Sequence, residues 1–280
     1  MASPLLIATP TVNGTYPIIL LLHGFYLRNY FYKGLLQHIA SHGFIAVAPQ
    51  LYGLLPPTGP CEIESAADVV NWLPGNLPSL LPENVAADLT KVALSGHSRG
   101  GKIAFALALG HAKVSLSLEF SVLIGIDPVE GSNQCCRPYP HILTYAPRSF
   151  DLNIPVAVIG TGLGPETKSD CIISKSCAPE GLNHKEFFNE CKPPCAHFVA
   201  KDYGHMDMLD DDPPGVVGAV TGCMCKNGSG PRDLMRKSVG GIVVAFVKAY
   251  LYGEDGDLLA IVGDPALSPA KLEPVEFIKA

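Results

Sequence analysis

The segment Val92-Ala93-Leu94-Ser95-Gly96-His97-Ser98-Arg99-Gly100-Gly101 constrains the fold of this chain more than any other. An apolar strand runs into a Gly-x-Ser-x-Gly turn, and the stretch from Lys102 to Gly110 that follows has the composition of a helix. A serine on so sharp a strand-to-helix turn has its hydroxyl lifted clear of the sheet, and glycines on either side leave room for a strained backbone and for a substrate. The pentapeptide alone is common; the strand before it and the helix after it give it weight. Ser98 is therefore the candidate nucleophile.

The rest of the chain repeats the strand-then-helix pattern. Tyr16 to Leu22 is an unbroken apolar run ending at His23-Gly24, and Phe44 to Pro49, Val122 to Ile126, Pro155 to Gly160 and His197 to Ala200 read as further strands buried on both faces. Between them, Phe31 to His42 carries apolar residues at helical spacing, Glu64 to Leu73 reads as a helix closed by Pro74-Gly75, and Ile242 to Tyr252 reads as a core-facing helix. Strands alternating with helices predict an α/β architecture, a mainly parallel sheet covered on both faces. One domain over residues 1–280 accommodates it, without internal repeats. Ligands in such sheets bind beyond the carboxyl ends of the strands.

Composition excludes some functions. The chain is 48% hydrophobic and 16% charged, so either the core is large or apolar surface is used for binding. A net charge of −6 and the absence of any basic run argue against nucleic acid. No apolar stretch reaches the roughly 18 residues of a membrane-spanning helix, and Met1-Ala2-Ser3-Pro4 does not read as a signal peptide. The nine cysteines are odd in number, and Cys171, Cys177, Cys191, Cys195, Cys223 and Cys225 fall together in the later part of the chain. Their spacings match no common zinc pattern, so neither metal nor cofactor is expected. Structural disulfides and reduced packing cysteines both stay open.

Acyl transfer by serine needs a base, an acid to orient it, and two N–H donors for the oxyanion. With chain order serine, acid, histidine, the candidates after Ser98 are His111, His141, His184, His197 and His205. His205 is best placed, because a short loop, Lys201-Asp202-Tyr203-Gly204, carries it past a strand end. For the acid, Asp127 stands directly after a strand and is preferred over Glu166 and Asp170 in the next loop. The oxyanion donors are expected to be the backbone N–H groups of Phe25, after His23-Gly24, and Arg99, after the nucleophile. His97 is expected to turn away from the site and pack. Apolar, proline-stiffened loops at 51–60 and 72–82, with Leu54 and Leu77 as their candidate contacts, are expected to line a substrate pocket or act as a lid.

Leu22-His23-Gly24-Phe25, Leu36 through Phe44, Ala48-Pro49-Gln50-Leu51-Tyr52, Gly96 through Lys102 and Gly204-His205-Met206-Asp207 together resemble plant chlorophyllase over nearly the whole chain. The resemblance implies an α/β-hydrolase fold and hydrolysis of the phytyl ester of chlorophyll to chlorophyllide and phytol. It also implies a triad on Ser98, Asp127 and His205, which positional reasoning selects independently. The partner implied is chlorophyll or a related phytylated tetrapyrrole, with residence in the chloroplast and peripheral contact with a membrane left open. The family's N-terminal extension is not apparent here. A broad carboxylesterase or lipase, and a non-catalytic pigment or lipid carrier, are the alternative readings.

Overall fold

A computed structural model describes residues 4–53, 55–168, 175–215, 218 and 224–279. In chain order the elements are β1 (Leu5–Ala8), β2 (Gly14–Leu22), α1 (Lys33–Ser41), β3 (Ile45–Pro49), α2 (Gly59–Asn76), β4 (Val85–His97), α3 (Arg99–Ala108), β5 (Val122–Ile126), β6 (Val156–Thr161), α4 (His184–Glu190), β7 (Cys195–Ala200), α5 (Arg232–Tyr252), α6 (Gly256–Gly263) and β8 (Leu272–Ile278). The strands form one sheet in the order β1-β3-β2-β4-β5-β6-β7-β8. From β3 to β7 every pairing is parallel. At the two edges β1 pairs with β3 and β8 with β7 antiparallel.

Period-two alternation within the apolar strands builds two cores, one on each face of the sheet. Ile18, Leu20 and Leu22 of β2 pack with Ile63 and Val70 of α2, Ile103 and Phe105 of α3, and Phe187 of α4. Ile19 and Leu21 of the same strand face Leu35, Leu36 and Ile39 of α1 and Val243 and Phe246 of α5. With both faces covered, the strand ends and their loops are left to hold a site, and the expected α/β architecture, a mainly parallel sheet with helices on both faces, is the one observed.

Several boundaries differ from expectation for identifiable reasons. The edge strands β1 and β8 were not read from the sequence; the exposed residues of β8 dilute its pattern, and β1 has only four residues. The helix expected over Glu64–Leu73 begins earlier, at Gly59, with Pro60 tolerated in its first turn, where its missing N–H is no loss. It also continues through Pro74 to Asn76. A proline there leaves the carbonyl four residues back without its helical partner. That carbonyl, of Val70, accepts instead from the Ser117 hydroxyl at 3.3 Å.

Where a loop was expected over 72–82, α2 runs on to Asn76 and a 3-10 turn spans Leu77–Leu80. Leu77, in a short 3-10 turn that follows α2, has no solvent exposure and belongs to the core with Leu73. It is a packing residue, out of reach of a bound substrate. Leu54 lies outside the described residues.

Candidate active site

β4 delivers Ser98 on a left-handed backbone, with φ 57° and ψ −123°. The turn is possible because its glycines touch backbone: a Cβ on Gly96 would overlap the Gly100 carbonyl, and one on Gly100 would overlap the carbonyls of Leu22 and His23. No larger residue fits at either place. The turn opens directly into α3, whose N-terminal end presents unpaired N–H groups and a partial positive charge to the serine.

Asp127 follows β5, also with positive φ, at 41°. Its buried carboxylate accepts at Oδ2 from the Thr161 hydroxyl and from His205 Nδ1, each at 2.6 Å, and at Oδ1 from the Thr161 amide at 3.3 Å. Burial works against its charged form, but the hydrogen bond and charge of His205, with smaller help from His184 and Thr161, hold the carboxyl below the ordinary aspartate range. Because Nδ1–H is committed to Asp127, the Nε2 lone pair of His205 is free to accept from Ser98 Oγ, 2.8 Å away. The structure thus brings Ser98, His205 and Asp127 into one hydrogen-bonded line. Glu166 is exposed, and Asp170 lies outside the described residues.

His205 sits on a loop, and two groups of contacts hold that loop in place. Asp207 Oδ2 accepts from the amides of Gly204 at 2.7 Å and Gly228 at 2.6 Å, while Oδ1 lies 3.3 Å from Arg232 Nε. A disulfide between Cys177 and Cys225 joins the segment that supplies Gly228 to the loop after β6. That second loop passes beside the acid, since a Cβ on Gly164 would stand 3.1 Å from Asp127 Oδ2. Among the described residues Cys61, Cys135, Cys136, Cys191 and Cys195 are free, and no three His, Cys, Asp or Glu side chains group closely enough to hold a metal ion.

Phe25 lies in the turn after β2, and neither its amide nor that of Arg99 donates to a backbone acceptor among the described residues. The two N–H groups are therefore available to a ligand. The Arg99 side chain, not considered from sequence, ties the surroundings together: its Nε lies 2.5 Å from Glu62 Oε2 of α2, and it donates to the Pro57 carbonyl at 2.9 Å. Its guanidinium carbon stands 4.9 Å from the Phe25 ring centre. Burial pushes the Glu62 carboxyl up to about 6 against the opposing pull of Arg99.

His97 departs from expectation. Its fully buried ring does not merely pack; it contacts the His205 ring with centroids 4.7 Å apart and hydrogen-bonds both the His205 carbonyl and the Tyr32 hydroxyl. The remaining candidate histidines stand elsewhere. His111 follows the end of α3, His141 is exposed, and His184 and His197 bond one another at 2.8 Å, with His197 reaching Glu276 at 3.0 Å. Sequence reasoning also missed Thr161 and Tyr32. Thr161 was legible in principle as the polar residue at the tip of the strand beside β5.

Comparison with known proteins agrees with this architecture. The chlorophyllase family model matches residues 1–279. The chain is 59% identical to Chlorophyllase-1 of Arabidopsis thaliana over 97% of its own length and 83% of that protein. It is 51% identical to the chloroplastic Chlorophyllase-1 of Citrus sinensis over 99% of its length and 81% of that protein. A shorter likeness, 35% over 38% of this chain and 34% of the relative, is to Epoxide hydrolase 3 of Siraitia grosvenorii, and the mainly parallel eight-stranded sheet is consistent with an α/β-hydrolase fold. With the family model matched across all but the last residue, this chain belongs to the chlorophyllase family.

Proposed function

We propose that this chain hydrolyses the phytyl ester of chlorophyll, with Ser98 as nucleophile, His205 as general base and then acid, and Asp127 as the group that orients and stabilises the imidazole. Ser98 Oγ attacks the propionate ester carbonyl as His205 Nε2 takes its proton, and the Phe25 and Arg99 amides hold the resulting oxyanion. The intermediate collapses; the phytyl oxygen leaves with the proton from His205 as phytol. Water, deprotonated by His205, then attacks the chlorophyllide acyl-enzyme, and Ser98 recovers its proton as chlorophyllide departs. The reading rests chiefly on the unbroken Ser98–His205–Asp127 line, at 2.8 Å and 2.6 Å.

Leu77 is unavailable, so the apolar substrate needs another surface. Phe25, Tyr26, Leu55 and Tyr139 are exposed. Phe25 touches Arg99, Leu55 is two residues from the Pro57 carbonyl that Arg99 holds, and the Tyr139 carbonyl abuts Gly59 at the start of α2. We assign these side chains to an apolar rim on which a flat macrocycle or its C20 tail can lie. The same rim gives the protein peripheral contact with the membrane that holds the pigment, and residence in the chloroplast accords with the naming of the Citrus sinensis relative.

The test is to incubate the wild-type chain and Ser98→Ala with chlorophyll a and assay chlorophyllide. Product from the wild type alone supports the reading. Equal product from both, or ligand binding with no turnover by either, removes it. Turnover of short p-nitrophenyl esters far above that of chlorophyll favours a broad carboxylesterase instead.

A further inference from the structure

A buried hydrogen-bonded chain runs beneath the candidate site, and its two middle members, Tyr32 and His97, make no hydrogen bond to the reacting atoms. The Gly24 amide donates to the Tyr32 hydroxyl at 3.0 Å, that hydroxyl lies 2.7 Å from His97 Nδ1, and His97 Nε2 lies 2.9 Å from the His205 carbonyl oxygen. The chemistry of the ends fixes every proton. An amide can only donate and a carbonyl can only accept, so Tyr32 must give its one proton to Nδ1, and His97 must carry its own on Nε2. Both buried partners favour these forms: burial, reinforced by the neighbouring His205, takes the His97 imidazole down to about 3, and burial also pushes the Tyr32 phenol upward, so each is neutral at working pH.

The ends of this chain are informative. Gly24 immediately precedes Phe25, whose N–H is one of the two assigned to the oxyanion, and the carbonyl at the other end belongs to His205 itself. We propose that His97 and Tyr32 are positioning residues for the hydrolytic reaction: they form a polar tie that fixes the distance between the oxyanion turn after β2 and the loop that carries the base. The proposal rests on the triad reading given above. These two groups lie on different loops, which also meet further along where the Asp210 amide donates to the Phe31 carbonyl at 2.8 Å and the Gly34 amide to Asp210 Oδ1 at 2.9 Å; the tie through Tyr32 and His97 is the one that ends on His205 itself and on the residue before Phe25. Misplacement by about 1 Å costs on the order of 100-fold in rate.

Kinetics of Tyr32→Phe, His97→Gln, His97→Leu and the Tyr32→Phe/His97→Leu double variant, on a short p-nitrophenyl ester and with active sites titrated by an organophosphonate, test it. Titration removes any loss due to unfolded protein. His97→Leu is expected to lower kcat per titrated site about 10- to 100-fold with KM within about twofold of wild type. His97→Gln, which keeps an N–H donor for the His205 carbonyl, is expected to recover most of that loss. The double variant is expected to be no slower than the worse single one, because either change breaks the same chain. A kcat for both His97→Leu and Tyr32→Phe within about twofold of wild type, or losses that multiply in the double variant, overturn the proposal. The triad fails separately: turnover retained by Ser98→Ala removes the nucleophile and with it the purpose of the tie, whereas normal kcat in the Tyr32 and His97 variants with Ser98→Ala inactive removes the tie alone.

Discussion

Arg99 and Glu62 form an ion pair at 2.5 Å in which the carboxylate has no exposure to solvent and the guanidinium very little. The nucleophile turn, α2 and the 55–58 segment are joined through this pair, since the same arginine also holds the Pro57 carbonyl. Arg99→Ala leaves a carboxylate buried and unpaired, a change that typically costs about 3–5 kcal/mol. Glu62 has a raised carboxyl, so its contribution to stability is greatest below its unfolded value of 4.5 and declines as pH rises through about 6. The cost of Arg99→Ala in chemical denaturation is therefore expected to be small near pH 5 and full near pH 8. A Glu62→Gln/Arg99→Ala double variant should recover part of it.

Asp127 is held by two donors of different kinds, and their removal separates two effects. Asp127→Asn presents an N–H where His205 needs an acceptor, and about a 10⁴-fold loss in kcat is expected. Thr161→Val removes only the 2.6 Å hydroxyl donor, a charge-assisted bond worth about 1.5 kcal/mol, for about a tenfold loss in kcat. That hydroxyl favours the charged form of Asp127, so its removal raises the carboxyl.

Two leucines distinguish core from rim. Leu77→Ala empties a fully buried position and should destabilise the protein by about 2–5 kcal/mol with KM for chlorophyll unchanged. Leu55, 82% exposed, should behave oppositely: Leu55→Asp leaves the melting temperature in place and raises KM for chlorophyll. Thermal melts and steady-state kinetics on both variants decide the matter.

Acid stability follows from buried imidazoles. Burial takes His97 down to about 3 and His23 and His184 to about 4, from an ordinary 6.5. The unfolded chain binds protons that the folded chain refuses, so this contribution to stability is full above about pH 6.5 and falls as pH drops toward 4. These three imidazoles together add an uptake of about three protons to unfolding near pH 5, read as the change in the slope of unfolding free energy against pH when all three are replaced.

What the sequence disclosed follows from the physics of each part. Parallel strands buried on both faces leave long apolar runs, so β2 through β7 were visible, as were Ser98 and Asp127 at their tips and His205 just past one. The edge strands carry no such signal: β1 has four residues, none of them fully buried, and exposed residues interrupt β8. Pro74 was read as a stop because the hydroxyl that rescues its orphaned carbonyl comes from Ser117, distant in the chain. His97 was misjudged for a related reason: strand alternation does turn it away from the face of the nucleophile, but its partners, Tyr32 and His205, arrive from two other loops.

The separate mounting of His205 has a consequence for how the protein fails. Ser98 and Asp127 are braced by strands deep inside the sheet, whereas the imidazole depends on a loop clasped by Asp207 and its two amide donors. Such a clasp opens at a smaller free energy than the sheet dissolves. Heating should therefore silence the enzyme while its circular dichroism is still native, and cooling should revive it.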